Sequence, residues 1–314
     1  MQATDFYDAL APMFDVMTDW DARLAGEGPF LRGQLEATGA RRVLDAACGS
    51  GGHVLWLAQQ GYAAAGEDAS PVMIALAQQK AAALGLDVGF EVADLAPQPT
   101  AQEYTGTRLA STHPELVEGR RFGRLSDRAQ HFCGIPTAQG GETEKTIPLG
   151  AEAGPAVESS FDAVLCLGNS LPHLLTQADL VAALTEMARR LRPGGRLILQ
   201  NLNYDLRWQK QPRWFMAQGG ELAGQPVLVW RFADYDVPAG RILFHIALFR
   251  QGGKAWGVEV HTTPQRPLFR ADLLAALAEA GFTEVETFGR MTLPVEPFAA
   301  ECSGDLVVVA RRPR

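Results

Sequence analysis

Residues 42–53 constrain the fold of this chain most, because they join an apolar strand pattern to a glycine turn and then to a helix pattern. Asp45 closes the strand, and Gly49 and Gly51 form the turn. Glycine lets the backbone take a positive φ and approach a ligand closely, while the unpaired N–H groups at a helix start favour negative charge or lone pairs. The stretch therefore predicts a cofactor site.

The spacing of the turn separates two classes of cofactor. A dinucleotide fingerprint needs a third glycine for close packing of helix on strand, and Val54 stands at that position. A carboxylate at Asp45 would also repel a pyrophosphate, whereas it can anchor water or a cationic ligand. S-adenosylmethionine is cationic and carries no phosphate. A nicotinamide oxidoreductase remains an alternative, which binding of NADH without binding of S-adenosylmethionine would favour.

A second acidic residue, Asp68, ends the next predicted strand, just before Ser70 and Pro71. An acid at this position, beyond the glycine turn, is placed to bind both ribose hydroxyls of an adenosine. The alternative is that Asp68 only helps Ser70 to cap the following helix, with Pro71 in the first turn.

These motifs together resemble those of class I S-adenosylmethionine-dependent methyltransferases. Residues 42–53 resemble the first motif of that class, residues 66–71 resemble its ribose-binding segment, and the Arg-Pro-Gly-Gly turn at residues 192–195 is typical of it. The resemblance implies that Asp94 and Leu95, after the third strand, bind the adenine edge.

Composition limits the partners and the compartment. A net charge of −8 argues against general nucleic-acid binding, since phosphate binding needs clustered Lys and Arg. No apolar run reaches membrane-spanning length, and the first 15 residues lack the basic start of a signal peptide. The four cysteines are scattered, which predicts neither a disulfide framework nor a zinc site. We expect a cytoplasmic protein without a metal, and its oligomeric state is open.

The expected fold class is α/β: a single Rossmann-like class I methyltransferase domain of 1–314, with a seven-stranded, mostly parallel sheet whose last strand is reversed. Residues 227–232, 241–249 and 254–261 predict a three-stranded antiparallel roof. Amphipathic spacing predicts a leading helix over 5–17, and a second helix over 29–37. The expected segments are a helical cover (1–40), a cofactor-binding core (41–96 and 160–205), a disordered insertion (97–158), the roof (206–265), and a closing helix and strands (266–314).

A narrower resemblance covers most of the chain outside the insertion. Residues 166–174, the turn at 193–195, the Asn-Tyr-Asp at 203–205 and the long meander are similar to those of glycine and glycine/sarcosine N-methyltransferases. This resemblance implies cofactor contacts by Arg23 (the methionyl carboxylate), Ala47 and Gly49 (the methionyl part), Leu167 (the amino group, through its backbone) and His173, with Asn169 facing the substrate.

One position departs from that family. The family binds the glycine carboxylate with an arginine directly before Asn-Tyr-Asp, and this chain has Leu202 there. A leucine cannot replace charge-assisted hydrogen bonds, so glycine is a doubtful substrate. Arg207 and Arg213 lie nearby in sequence and are candidates to compensate. Tyr204, after the fifth strand, is a candidate catalytic residue beside Asn169, although a purely structural tyrosine is an alternative.

The sequence thus predicts methyl transfer from S-adenosylmethionine to a small acceptor, an amine or amino-acid-like compound. Methyl transfer from a sulfonium needs alignment and water exclusion, and an amine that binds in its neutral form needs no base. An O-methyltransferase of a small hydroxylated metabolite, which would want a base, is one alternative. A non-catalytic S-adenosylmethionine-binding protein is another, because Leu202 is compatible with lost substrate chemistry.

Overall fold

The computed structural model describes residues 3–95, 160–253 and 255–314. The predicted insertion at 97–158 lies outside the described residues. Strands of the described residues are numbered in chain order: β1 Arg42–Asp45, β2 Ala63–Asp68, β3 Gly89–Val92, β4 Phe161–Cys166, β5 Leu191–Leu202, β6 Gln218–Leu222, β7 Gln225–Asp236, β8 Arg241–Gly252, β9 Ala255–Gln265, β10 Thr283–Phe288 and β11 Asp305–Arg311. The α-helices are α1 Ala3–Leu10, α2 Phe14–Met17, α3 Trp20–Glu36, α4 Gly52–Gln59, α5 Pro71–Leu84, α6 Gln177–Arg190, α7 Tyr204–Lys210 and α8 Arg270–Glu279.

Seven strands form the core sheet in the order β10-β11-β5-β4-β1-β2-β3. The pairs among β1 to β5 are parallel, and β11 runs antiparallel to both β5 and β10. The expected mostly parallel sheet with a reversed last strand is therefore confirmed. β1 lies in the centre of the sheet, and the chain order reverses there, so ligands are expected at its carboxyl end.

Both faces of the core sheet are covered by apolar side chains. Leu44, Val164 and Leu199 belong to the cluster that includes α6 and α8, whereas Val43 and Ile198 belong to the cluster that includes α3. Such burial on both faces explains why these strands are continuous apolar runs in the sequence.

The N-terminal cover differs from the predicted helices. The leading helix is interrupted by a 3₁₀ turn, Ala11–Met13, with Pro12 at its start. Trp20–Glu36 is one continuous helix with Pro29 inside it, so the prediction of a helix beginning at Pro29 was wrong. The observed helix begins nine residues earlier because the Asp19 carboxylate accepts a hydrogen bond from the Ala22 N–H and caps it.

The roof is a separate antiparallel sheet in the order β6-β7-β8-β9. It has four strands, whereas the sequence predicted three. The strand that the prediction missed is the short edge strand β6. Its inner face carries buried apolar side chains that pack on Phe6 and Leu10 of α1. On β7, Val229 and Ala233 mark this inner face, and the alternate residues mark the outer face.

Among the described residues, no helix combines the length and the apolar character needed to cross a membrane. The amphipathic helix α6, for example, has a polar face that carries Glu186, Arg189 and Arg190.

Candidate active site

The glycine turn lies at the carboxyl end of β1, as predicted. Gly49 has φ +52° and Gly51 has φ +83°, and a Cβ on Gly51 would lie 2.9 Å from the Cβ of Ala77 and 3.1 Å from the Phe90 ring. Both observations require glycine at position 51. The sequence therefore identified a turn that admits no side chain at this point.

Asp68 holds the glycine turn against β2. One of its oxygens accepts a hydrogen bond from the Gly49 N–H (2.8 Å) and the other from the Ser70 N–H (2.9 Å). Burial raises the pKa of Asp68, and these two hydrogen bonds act against the rise. Ser70 caps α5, so the capping alternative describes part of the role of Asp68. Each carboxylate oxygen keeps a second lone pair, so ribose binding stays a compatible prediction.

Asp45 lies beneath the turn and is 1% exposed. Its carboxylate accepts a hydrogen bond from the Ala47 N–H (3.3 Å) and lies 3.8 Å from Nδ1 of His53. Burial raises the pKa of Asp45 to about 6, although the nearby His53 opposes this. Asp45 thus supports the turn from inside the protein.

A row of alternating acidic and basic side chains runs from this point to the cover. The Glu27 carboxylate lies 2.9 Å from Nε2 of His53, and its two oxygens share one bifurcated hydrogen bond from the Nε–H of Arg23 (3.1 Å to each). Burial raises the pKa of Glu27, but the hydrogen bond with His53 and the charge of Arg23 hold it below its ordinary value. The terminal nitrogens of Arg23 lie 3.9 and 4.0 Å from where a Cβ on Gly168 would stand. Arg23 therefore lies beside the loop that follows β4.

That loop carries two of the predicted site residues, Leu167 and Asn169. Leu167 is buried, and Gly168 donates its N–H to the Gln200 side chain (2.8 Å). Asn169 has φ +68°, an uncommon conformation for a residue with a side chain. Its side chain accepts a hydrogen bond from the Leu202 N–H (3.0 Å) and donates one to the Tyr204 hydroxyl (3.0 Å). The strained loop is thereby tied to the end of β5.

A continuous chain of polar groups then crosses from the core to the roof and the cover. The Tyr204 hydroxyl donates to Oε1 of Gln265 on β9 (3.2 Å), and Nε2 of Gln265 lies 3.3 Å from Nε2 of His173. The Tyr7 hydroxyl on α1 lies 2.8 Å from the same His173 nitrogen. Asn169, Tyr204 and His173 were predicted site residues, whereas Tyr7 and Gln265 were missed.

His173 is neutral in this arrangement. Burial lowers its pKa to about 4. Because Oε1 of Gln265 accepts from Tyr204, the Gln265 amide donates to Nε2 of His173, and the ring hydrogen is assigned to Nδ1. Nδ1 is buried and has no hydrogen-bond partner among residues 3–95, 160–253 and 255–314. A buried donor without a partner is costly, so this atom marks a position where a ligand acceptor is favoured.

The lowered pKa of His173 predicts a pH effect on stability. Between pH 6.5 and 4 the unfolded chain binds a proton that the native imidazole does not, so the free energy of unfolding falls as pH falls, by at most about 3 kcal/mol. Asp45 acts in the opposite direction, because its raised pKa favours the native state at low pH. We expect the stability difference between wild type and His173→Gln, from urea unfolding at pH 4–7, to shrink on acidification. Parallel curves would contradict a neutral buried His173.

The N-terminal cover is fastened to the turn by two acidic side chains. Asp8 accepts a hydrogen bond from Ser70, and Asp15 accepts from Ser50 (2.7 Å) and Lys80. The Trp20 indole N–H also donates to Asp15 (2.9 Å), and its ring lies over the start of α4. These contacts had no signal in the sequence.

The remaining predicted residues lie at the other side of the same edge. Asp94 follows β3 and is exposed, and its charge raises the pKa of Asp68, so the two carboxylates are neighbours. Leu95 and Ala47 are partly buried and pack on the same apolar cluster. The structure thus brings all the predicted cofactor residues to the carboxyl edge of the core sheet.

The two arginines considered in place of Leu202 have different surroundings. Arg213 is 55% exposed, lies 2.8 Å from Asp234 and packs over Trp214, on the outer face of the roof. It therefore does not face the site. Arg207 is half-buried on α7, and its guanidinium packs over the Phe215 ring at 5.1 Å.

Comparisons with known proteins agree with this architecture. Two family models, each described as a methyltransferase domain, match residues 43–118 and 136–199. A glycine/sarcosine N-methyltransferase from Parasynechococcus marenigrum is 27% identical over 91% of this chain and 78% of its own length.

Solved structures share the fold at lower identity. An S-adenosylmethionine-dependent methyltransferase from Clostridium acetobutylicum has a TM-score of 0.65 at 13% identity and covers 98% of this chain and 99% of its own. A sugar N-methyltransferase from Streptoalloteichus has a TM-score of 0.57 at 21% identity, covering 93% and 88%. The methyltransferase-domain matches and the shared fold support S-adenosylmethionine-dependent methyltransferase activity, and the chain is similar to the glycine/sarcosine N-methyltransferases.

Proposed function

We propose that this enzyme transfers a methyl group from S-adenosylmethionine to the nitrogen of a small amine. The observation that carries the proposal is the polar chain of Asn169, Tyr204, Gln265, His173 and Tyr7 at the edge where the predicted cofactor residues meet. Each of three layers, the core, the roof and the cover, contributes to it. Such a chain positions a small polar acceptor and keeps water away from it.

The residues present fit the cofactor. Arg23 would hold the methionyl carboxylate, since its terminal nitrogens lie towards Gly168 while Nε is bound to Glu27. Asp68 would hold the ribose. The other cofactor contacts would come from Ala47, Gly49, Gly51, Asp94, Leu95 and the backbone of Leu167, with His173 beside them. The buried Nδ1 of His173, which lacks a partner within the described residues, supports a ligand at this place.

The charge state of the polar chain favours nitrogen as the acceptor. When bound, S-adenosylmethionine supplies an electrophilic methyl group. Burial raises the pKa of Tyr7 and of Tyr204 above the ordinary value and lowers that of His173, so all three are neutral at pH 7. A neutral buried site disfavours an ammonium ion and favours the free amine, whose lone pair is ready to react. A hydroxyl acceptor would need a base, and a histidine with a pKa near 4 is a weak one.

Related proteins support the same acceptor class. The relative from Parasynechococcus marenigrum is named for methylation of glycine and sarcosine, and the structural neighbour from Streptoalloteichus for methylation of a sugar nitrogen. For this chain we infer only the shared chemistry, an amine nitrogen on a small molecule. A reducing cytoplasm suits the free thiols of Cys48, Cys166 and Cys302.

Incubation with S-adenosylmethionine and a panel of small amines and alcohols, followed by mass spectrometry, tests the proposal. We expect methylated amines and unmodified alcohols. Tyr204→Phe should lower kcat/KM for the amine about 10- to 100-fold, because it removes the hydroxyl from the polar chain, while the Kd of S-adenosylmethionine stays within about threefold.

Tyr62→Phe is the control, since Tyr62 packs beside the other face of the core sheet. Tight cofactor binding without transfer to any compound would instead favour the non-catalytic alternative. Methylation of alcohols and not of amines would favour the O-methyltransferase.

A further inference from the structure

Two arginine side chains under the roof, Arg207 and Arg231, are candidates for an anion site. Within residues 3–95, 160–253 and 255–314, neither Arg207 nor Arg231 forms an ion pair with a carboxylate. Most of the other partly buried arginines of the described chain, such as Arg190 and Arg266, do form one. A partly buried guanidinium without a counter-charge is unfavourable, so a pair of them indicates a missing anion.

Strand alternation places Arg231 on the inner face of the roof. It lies between Val229 and Ala233 on that face, and it is opposite Ile246 of β8. Its Nη2 donates to Oε1 of Gln218 at 2.7 Å, a neutral partner. Burial and the charge of Arg207 both lower the pKa of Arg231, so the two guanidinium groups repel each other across this space.

Arg207 reaches the same space from α7. Its guanidinium packs over Phe215, whose ring lies 6.2 Å from the inner-face residue Phe244. Its charge also acts on the hydroxyls of Tyr235, another inner-face residue, and of Tyr204, where it opposes the rise in pKa that burial causes. Arg207 therefore lies between the polar chain and Arg231.

The nearby carboxylates are engaged elsewhere. Asp234 lies on the outer face with Arg213 and His245. Asp305 hydrogen-bonds Gln200, and Asp205 accepts the Arg270 N–H at 3.0 Å. The charge of Arg207 does act on Asp305, but no ion pair links them.

We propose that Arg207 and Arg231 together bind a carboxylate of the methyl acceptor. This inference rests on the proposed function and names the acceptor as an amine that carries a carboxylate. Two guanidinium groups suit an oxyanion, which takes paired, charge-assisted hydrogen bonds. This pair of arginines, called the clamp below, would bind the carboxylate that Leu202 cannot bind.

The position of the clamp also sets the length of the acceptor. Arg207 comes three residues after Tyr204, about 4.5 Å further along α7. The anionic group is therefore expected further from the reacting nitrogen than in glycine, so β-alanine and 4-aminobutanoate are better candidates than glycine.

The test compares carboxylated and neutral acceptors of matched length. We expect the wild type to favour 4-aminobutanoate over butylamine, and β-alanine over glycine, in kcat/KM. In Arg207→Met and Arg231→Met, the ratio of kcat/KM for 4-aminobutanoate to that for butylamine should fall about 10- to 100-fold. Arg213→Met, on the outer face, should leave the ratio unchanged, and thermal melts should verify that all three variants fold.

A binding measurement keeps the inference testable without turnover. Calorimetric titration of butanoate or phosphate into the protein with S-adenosylhomocysteine should give binding of butanoate that weakens at least tenfold in Arg207→Met and Arg231→Met. Equal acceptor ratios in wild type and variants, or butanoate binding that the variants leave unchanged, would overturn the inference. Stronger effects on phosphate than on butanoate would overturn the choice of a carboxylate. Methylation of neutral amines and carboxylated amines at equal kcat/KM would contradict the carboxylate-binding role of Arg207 and Arg231 but would leave the proposed function intact.

Discussion

Replacing Gly51 by valine is expected to abolish measurable S-adenosylmethionine binding and to lower the free energy of unfolding by about 3 kcal/mol or more. Two effects add at this position. The backbone has φ +83°, which a β-branched residue strongly resists, and the new Cβ would lie 2.9 Å from the Cβ of Ala77. The turn can relieve the backbone strain and the steric clash only by moving. Its backbone N–H groups would then no longer point to the place where the cofactor is expected. Calorimetric titration and urea unfolding measure the two quantities.

Gly61→Val is a control that introduces backbone strain without changing the predicted cofactor site. Gly61 has φ +88°, nearly the same backbone conformation, but a Cβ there would meet no atom within 4 Å. We expect this control to lose about 1–2 kcal/mol of stability and to bind the cofactor like the wild type. Equal cofactor affinity in the two variants would show that the turn at Gly51 is not the cofactor cradle.

The strands of the core sheet were predictable because their sequences carry strong local signals. Residues 163–166 of β4 and residues 197–199 of β5, which follow its internal Pro-Gly-Gly, are apolar runs, and burial on both faces is what produces such runs. The fourth roof strand, Gln218–Leu222, has no such signal. It has two central glycines and is held in place by pairing with β7 and by the contact of Gly220 with Val16.

The helix at Trp20–Glu36 shows a different limit. Proline at a first helical turn is a sound signal, and it misled here because Pro29 lies inside a helix whose buried residues, Phe30, Leu31 and Leu35, pack on the core sheet. Packing on the sheet therefore decides the course of the helix and overrides the local signal.

The site was predictable where the chain topology determines it. Asp45 and Asp68 end parallel strands, and Asn169 and Tyr204 follow the next two, so all four were expected to meet at one edge of the sheet. Tyr7 and Gln265 meet them only through the packing of α1 and the roof on that edge, which no local pattern encodes.

The row of acidic and basic side chains that leads to Arg23 could not be predicted from the sequence either. Glu27 follows Arg23 by one helical turn, a common surface pattern, and nothing local indicates that His53 of α4 lies 2.9 Å from its carboxylate. The contact depends on how α3 packs across the glycine turn. The structure, and not the sequence, shows that an acid positions Arg23, the residue predicted to bind the cofactor.

Arg23→Met is expected to weaken S-adenosylmethionine binding about 10- to 100-fold, because a methionine keeps the packing on Trp20 but removes the charge that would hold the methionyl carboxylate. The same change takes from Glu27 one of the two partners that hold its pKa down, so the Glu27 pKa should rise towards its ordinary value or above. Cofactor binding by calorimetry and the Glu27 carboxyl shift in an NMR pH titration measure the two effects.

Arg32→Met is the matched control, since Arg32 is exposed on the same helix and donates to Gln60 at 2.7 Å, away from the turn. It should leave both the affinity and the Glu27 pKa unchanged. Adenosine, which lacks the methionyl part of the cofactor, is a second control. Its affinity should be equal in wild type and Arg23→Met. If instead Arg23→Met weakened adenosine as much as S-adenosylmethionine, Arg23 would support the turn as a whole rather than bind the methionyl carboxylate, and Glu27 and His53 would be the structural centre of the site.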